Sequence, residues 1–147
     1  MSDATIRAIW AGEHRWDTGR PDGPAIRLDG SAESGPSPVD ALLGAVAACS
    51  GIDVVDILTK RRTPPSAVVV EVEADRRGEA PRRVTRMSIR YRVDGEGIER
   101  LHAERAVQLA LEKYCSVASS LAGDIAVHTI VVLNGEAGED QRQAIMN

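Results

Sequence analysis

The stretch from Ser37 to Leu58 (SPVDALLGAVAACSGIDVVDIL) constrains the fold most, because it has the pattern of a long apolar helix. Ser37 can cap this helix, and Pro38 stands at the first helical position, where its missing N–H costs no hydrogen bond. Asp40 follows three residues after the cap, where a carboxylate can accept a hydrogen bond from the free amide of the cap. Apolar residues cover nearly the whole circumference, so we predict a central, buried helix.

The predicted helix carries Cys49, one of only two cysteines in the chain. Steps of four and three residues from it place Asp53 and Asp56 on the same stripe. Burying an unpaired carboxylate is expensive. These two acids therefore either mark the exit of the stripe to solvent, pair with Arg61 or Arg62, or serve in acid–base catalysis, and the residues alone leave these alternatives open.

Length and composition predict a single soluble globular domain over residues 1–147, with 43% hydrophobic and 27% charged residues. A net charge of −4 with scattered arginines gives no reason to expect nucleic acid as a partner. Asp53 and Asp56 interrupt the longest apolar run, so we expect no membrane span. The first ten residues lack the pattern of a signal peptide, which predicts a cytoplasmic location. In that compartment a pair of cysteines is more often reactive than structural.

The segments on either side of the helix predict strands and one further helix. Residues 1–36 indicate a small meander, with strands at Thr5–Trp10 and Ala25–Leu28, turn chemistry over His14–Gly23 and a loop over Gly30–Pro36.

The C-terminal part contains a hairpin, a second main helix and a closing strand. Its predicted elements are strands at Ala67–Ala74 and Val84–Val93, a helix at Gly97–Lys113, a helical turn at Val117–Ala122, a strand at Ile125–Leu133 and a frayed tail over Asn134–Asn147. The hairpin's solvent face would set acids against bases, namely Glu71, Glu73 and Asp75 against Arg86, Arg90 and Arg92. Because no strand–helix–strand alternation occurs, the order predicts an α+β fold in which an antiparallel sheet carries two main helices.

The chemistry of the chain centres on Cys49 and Cys115, the second cysteine. Neither a CxxC motif nor any Cys/His ligand spacing occurs, so we predict no metal site and no cofactor. The absence of a GxSxG elbow argues against a serine hydrolase. From spacing alone, both cysteines could equally be inert core residues, since free cysteine is among the most buried residue types.

The segment GPSPVDALLGAVAACSGIDVVDIL, followed later by KYCSVASSL and a closing strand, resembles the OsmC/Ohr family of thiol-dependent organic hydroperoxide reductases. The resemblance runs from Gly35 to Gly135. It implies an OsmC-like α+β fold and an intertwined homodimer with two sites at the subunit interface.

The same resemblance implies roles for the two cysteines. Cys49 would be the peroxidatic thiol, attacking a small organic hydroperoxide to release an alcohol and leave a sulfenic acid. Cys115 would be the resolving thiol, condensing with that sulfenic acid to a disulfide. An external dithiol would then reset the site.

The family also places an arginine and a glutamate beside the reactive cysteine. Arg20 in TGRPDG matches the arginine, with Arg15 and Arg27 as competitors. The glutamate position is occupied by Val39, so Asp40 either replaces the glutamate at another angle or only caps the helix. This departure indicates a divergent member. The alternative function is a non-catalytic thiol protein that binds or senses an apolar or oxidised ligand at the dimer interface, and a purely structural dimer is a third.

Overall fold

The computed structural model describes residues 2–145, which fall into two compact units: unit one ends at Leu43 and unit two begins at Gly44. The expectation of one domain over 1–147 stays a prediction. The strands below are described within their own unit, and the first helix begins in unit one and continues into unit two.

Unit one contains a three-stranded antiparallel meander in the order β1-β2-β3. Its strands are β1 at Arg7–Trp10, β2 at Arg15–Gly19 and β3 at Ala25–Asp29. The reading of His14–Gly23 as turn chemistry is wrong over β2 and correct at both ends. The Gly23 N–H donates to the Arg20 carbonyl at 3.0 Å, and the turn that contains His14 is closed by the Arg15 N–H donating to the Gly12 carbonyl at 2.9 Å. The five residues of β2 form a strand because they pair with neighbours on both sides, Trp16 lying opposite Trp10 and Leu28.

The first helix, α1, spans Pro38–Lys60 and begins as predicted. The Asp40 N–H donates to Ser37 Oγ at 3.0 Å, and the Ser37 N–H donates to Asp40 Oδ2 at 3.1 Å. These reciprocal bonds form a capping box, which satisfies two amides that would otherwise lack an intrahelical partner.

The prediction that α1 is buried on all sides is wrong. Its buried side is a narrow stripe that includes Val46, Val54 and Leu58. Ile52 is 62% exposed and Val55 is exposed as well. The helix has apolar residues all round, but within the described residues the protein covers only one of its faces.

By length and composition α1 could cross a membrane, contrary to the expectation that no such segment exists. Val46, Val54 and Leu58 are nevertheless fully buried against the rest of the protein. A core helix of a soluble protein passes the same length and composition test.

Unit two is built on a five-stranded sheet. Its strands are β4 at Ala67–Arg76, β5 at Val84–Asp94, β6 at Ala126–Leu133, β7 at Glu136–Ala137 and β8 at Gln141–Gln143. The β4–β5 hairpin is antiparallel as predicted, with Glu71 opposite Arg90, Asp75 opposite Arg86, and Arg92 Nε 2.8 Å from Glu71 Oε1. The predicted charge-matched face is therefore observed.

Two details of the sheet depart from prediction. Strands β5 and β6 are parallel, so the sheet is mixed rather than wholly antiparallel. A helical crossover joins them, because parallel neighbours cannot be linked by a tight turn. The prediction of a frayed tail is wrong for residues 134–145, since β7 and β8 both pair with β6. Met146 and Asn147 lie outside the described residues.

The second main helix is shorter than predicted and its end is distorted. Helix α2 spans Arg100–Leu109, a π-helical turn spans Ala110–Tyr114, and a one-turn helix, α3, spans Ser116–Ser119. The Cys115 N–H donates to the Ala110 carbonyl at 2.7 Å, the wide bond typical of a π turn. This irregular turn delivers Cys115 into the interior, where it is 2% exposed.

Candidate dithiol site

Cys49 and Cys115 meet in unit two. Their Sγ atoms and a carboxylate oxygen of Asp53 all lie within 4.8 Å of one another, and both thiols are free. A disulfide needs an S–S distance of about 2.05 Å and Cα atoms within about 7 Å. Sulfur atoms this close can be joined by a small movement, so the arrangement is compatible with a reversible disulfide.

Cys49 is held on a well-anchored part of α1. The next residue, Ser50, is fully buried, and its hydroxyl donates to the Val46 carbonyl at 2.7 Å. Ser50 Oγ also lies 2.8 Å from the Tyr91 hydroxyl on β5. Cys49 itself is half-buried, so its thiol combines a fixed position with access to small molecules.

Cys115 is the more deeply buried thiol. Burial raises the pKa of Cys115 to about 11, and the hydrogen bond with Cys49 adds to this effect. The Ala118 N–H donates to Cys115 Sγ at 3.3 Å, which opposes the rise without cancelling it. At neutral pH this thiol therefore keeps its proton.

Asp53 lies one turn after Cys49 on α1 and completes the cluster. Among residues 2–145, its Oδ2 is the one buried side-chain nitrogen or oxygen atom without a hydrogen-bond partner. Burial raises the pKa of Asp53, and the nearby charge of Asp56 raises it further. No described arginine pairs with it, because Arg61 Nη2 instead contacts His102 Nε2 at 2.7 Å.

Tyr91 is a member of this site that sequence reasoning missed. It is fully buried, and its pKa is raised by burial and, to a smaller extent, by the charges of Cys115 and Asp53. The hydroxyl thus stays neutral and donates a hydrogen bond to Ser50 Oγ, whose own proton goes to the Val46 carbonyl. The only sequence signal was its place among the alternate residues that face inward on the predicted strand Val84–Val93. That alternation does not indicate that Ser50 is its partner.

A cavity of about 430 Å³ opens beside the cluster, with Asp53 in its wall. Its lining combines apolar and basic groups, including Ile57, Leu109, Lys60, Arg61, His102 and Tyr114. A small organic molecule with an apolar body fits such a space.

The two remaining predicted site residues belong to unit one. Arg20 is exposed in the turn after β2 and makes no ion pair within the described residues. Its competitors are engaged, since Arg27 Nε lies 2.6 Å from Asp17 Oδ1 and Arg15 lies 3.7 Å from Glu13. The Asp40 carboxylate is used in the helix cap. Catalytic roles for Arg20 and Asp40 stay predictions.

Within the described residues, the cluster of Cys49, Asp53 and Cys115 is also the one grouping of His, Cys, Asp and Glu donors compact enough to surround a metal ion. A closed structural zinc site uses four protein donors, and a metal takes thiolates rather than thiols. The three donors fall one short of such a closed site, and two free thiols this close have the arrangement that a reversible disulfide needs, so we interpret the cluster through thiol chemistry.

Fold and site together define a class: an α+β protein in which a long apolar helix sets one cysteine against a second cysteine from the end of the following helix. The chain belongs to the family described as OsmC-like protein, whose family model matches residues 30–130. The resemblance to OsmC/Ohr proteins and the α+β fold class are therefore confirmed.

Individual proteins and solved structures are also similar to this chain. The Escherichia coli strain K12 protein named Protein YhfA is 42% identical over 100 residues, which cover 67% of this chain and 75% of YhfA. The crystal structure of a hypothetical protein from Aquifex aeolicus VF5 aligns with a TM-score of 0.80 and 26% identity, covering 90% of this chain and 97% of that one. The organic hydroperoxide resistance protein OhrB of Bacillus subtilis shares the fold, with a TM-score of 0.57 and 16% identity over 90% of this chain and 98% of its own.

Proposed function

We propose that this protein is a two-cysteine thiol peroxidase that reduces organic hydroperoxides. The observation that carries the proposal is the meeting of Cys49 Sγ and Cys115 Sγ within 4.8 Å, on two different elements of unit two. Family membership supports it, and so does the cavity of about 430 Å³ beside the cluster.

The unequal burial of the two thiols supports their order of action. Cys49 is half-buried, so it is the thiol that a peroxide can reach. Cys115 is buried and protonated at neutral pH, which suits a partner that reacts second. Cys49 thiolate attacks the outer peroxide oxygen, the O–O bond breaks, and the alkoxide takes a proton to leave as alcohol. The Cys49 sulfenic acid then condenses with Cys115, losing water.

Arg20 and Asp40 are proposed to assist Cys49 in different ways. A guanidinium beside a cysteine stabilises the thiolate by charge and so favours its reaction as a nucleophile. Arg20 is suited to this task because, within the described residues, it has no carboxylate partner. Asp40 is proposed to act indirectly, by holding the first turn of α1 in place.

Assembly as a homodimer is part of the proposal. The exposed face of α1 adjoins a shallow cavity of about 470 Å³ lined by small and apolar residues, among them Gly44, Ala47, Ala48, Ile52, Val55 and Val70. Small residues let another backbone approach closely, and uncovered apolar area favours association. We propose a cytoplasmic location and an external dithiol as reductant.

The test is a single turnover of reduced protein with tert-butyl hydroperoxide. We expect rapid loss of both thiols to an intramolecular disulfide, which mass spectrometry detects after alkylation. Cys49→Ser should abolish the reaction. Cys115→Ser should leave a sulfenic acid at Cys49 that dimedone traps and excess peroxide over-oxidises.

Persistence of both thiols in excess peroxide would exclude the peroxidase. The second candidate function is then a thiol protein that binds an apolar ligand without turning it over, and the uncovered groove along α1 favours it. That function predicts saturable binding of an apolar fluorescent probe by the thiol-reduced protein, with no change in thiol count.

A further inference from the structure

We infer that Asp53 carries the proton in the disulfide-forming step, accepting it from the Cys115 thiol and delivering it to the hydroxide that leaves Cys49. This inference rests on the proposed function, because it concerns the second half of that reaction.

The first support is geometric. A carboxylate oxygen of Asp53 lies within 4.8 Å of both sulfur atoms, and Asp53 Oδ2 is buried with no hydrogen-bond partner. Buried polar atoms are nearly always paired, so an orphan of this kind calls for an explanation. A carboxylate that must accept and release a proton beside two thiols provides that explanation, since a permanent hydrogen bond or ion pair would occupy its lone pairs.

The second support is that Cys115 must lose its proton before it can react. Attack on a sulfenic sulfur requires a thiolate. With a pKa of about 11, Cys115 would be thiolate in only about one molecule in ten thousand at pH 7. Resolution at neutral pH therefore needs a base already in position beside Cys115.

The surroundings single out Asp53 among the ionisable groups. Several ionisable groups face Asp53 or share its cavity. Helix α1 and its end contribute Cys49, Asp56, Lys60 and Arg61. The other elements contribute Tyr91 from β5, His102 and Arg105 from α2, Tyr114 from the π turn and Cys115 directly after it. Tyr91 is neutral because burial raises its pKa. His102 is bonded to Arg61, and Asp56 is exposed. Asp53 is the described carboxylate that lies within 4.8 Å of both sulfurs.

The step balances without any further reagent. The sulfur of Cys115 bonds to the sulfur of the Cys49 sulfenic acid, and the S–O bond breaks. The thiol sulfur is oxidised and the sulfenic sulfur is reduced, the organic hydroperoxide having supplied the oxidising equivalents in the first step. The proton of Cys115 passes to Asp53 and then to the departing hydroxide, giving water and restoring the carboxylate.

The experiment follows disulfide closure as a function of pH after one equivalent of tert-butyl hydroperoxide, using the full-length protein. Sulfenic acid formation is measured separately, by peroxide consumption and dimedone trapping. For the wild-type protein we expect closure to be constant across neutral pH and to fall only in acid, as Asp53 becomes protonated. Asp53→Asn should slow closure about a hundredfold at pH 7 while sulfenic acid forms at close to the wild-type rate.

The pH profile separates a chemical role from a structural one. In Asp53→Asn, closure should rise about tenfold per pH unit towards pH 11, because solvent alone must then remove the proton of Cys115. Glu96→Gln removes an equal charge from an exposed turn outside the cavity and should close at a rate within a few-fold of wild type. If Asp53→Asn closes at the wild-type rate with the wild-type profile, the inference is overturned and the peroxidase stands.

Two other outcomes are informative. A wild-type closure rate that itself climbs about tenfold per pH unit through neutrality would overturn the inference even if Asp53→Asn failed to fold. Absence of both peroxide consumption and disulfide formation in the wild-type protein would overturn the proposed function first, and the role of Asp53 with it.

Discussion

The hydroxyl of Tyr91 lies 2.8 Å from Ser50 Oγ, and this contact fastens α1 to β5 one residue beyond Cys49. Both side chains are fully buried. The position of the reactive sulfur is therefore set by a bond between two elements that are 41 residues apart in the chain. This relationship makes the helix around Cys49 a rigid support.

Tyr91→Phe tests that support. The change removes one buried hydrogen bond while Ser50 keeps its bond to the Val46 carbonyl, so we expect a loss of about 1 kcal/mol in the free energy of unfolding. Urea denaturation followed by circular dichroism measures it. Tyr114→Phe, at an exposed tyrosine, should leave stability within about 0.5 kcal/mol. An unchanged midpoint for Tyr91→Phe would mean that the contact does not anchor α1.

Asp40→Ala separates capping from catalysis. Loss of the bond from the Ser37 N–H should cost about 0.5–1 kcal/mol of stability, measured by thermal unfolding. Asp40→Glu keeps a carboxylate able to complete a capping box and should recover most of that loss. The indirect role predicts that peroxide consumption by Asp40→Ala stays within a few-fold of wild type. A variant with wild-type stability and no peroxide consumption would instead make Asp40 a replacement for the glutamate expected at Val39.

Arg20→Gln tests the proposed activation of Cys49. Removal of the guanidinium should slow alkylation of Cys49 by iodoacetamide at pH 7 by about tenfold or more, because the reacting sulfur loses a stabilising positive charge. The alkylation rate is measured in a Cys115→Ser background, so that Cys49 is the one thiol that reacts. Arg62→Gln removes an equal charge from an exposed position and should have no effect. If Cys49 is alkylated at the same rate with and without the Arg20→Gln substitution, another group activates this thiol.

Burial of Cys115 predicts a loss of stability in alkali. The folded pKa of about 11 lies above the ordinary value of 9.0, so the unfolded chain ionises first as pH rises. The contribution of the buried thiol is present below pH 9 and declines between pH 9 and 11, by at most about 2–3 kcal/mol. Urea midpoints across that range measure the decline in the reduced protein. Cys115→Ala should remove the part of the decline between pH 9 and 10 and leave the part above pH 10 to which the raised pKa of Tyr91 contributes. An equally steep decline between pH 9 and 10 in this variant would place its origin elsewhere.

Ile52→Asp tests the proposed dimer. Ile52 is 62% exposed on the uncovered face of α1, so a charge there should leave the fold intact and weaken association between copies. Sedimentation velocity at several concentrations should show a shift from dimer to monomer. Leu101→Asp, at a residue that is 72% exposed on α2, serves as the matched control and should stay dimeric. A wild-type protein that sediments as a monomer would remove this part of the proposal.

Local chemistry was enough to predict several parts of the molecule. The start of α1 depends on Ser37, Pro38 and Asp40, which lie within one turn, and the structure shows the expected capping box. The β4–β5 hairpin follows from strict alternation and a short connection, so its pairing was also predictable. Features of this kind depend on residues that are close together along the chain, so the local sequence is enough to predict them.

Patterns failed where a partner lies far away in the sequence. The strand at Arg15–Gly19 has strong turn residues beyond its end and takes its conformation from pairing on both sides. The segment after Asn134 has a polar composition, yet its two short strands complete the sheet against β6. Likewise, uniform apolarity cannot tell which faces of α1 the protein covers.

The sequence by itself determined that a cysteine would stand in the middle of a long, well-capped apolar helix and that a second would follow where the next helix ends. Only the tertiary structure decided that Cys115, which follows the π turn, lies beside Cys49 and Asp53. The physical reason is range: caps and periodicities act over a few residues, whereas the separation of these sulfurs depends on how the whole sheet and both helices pack.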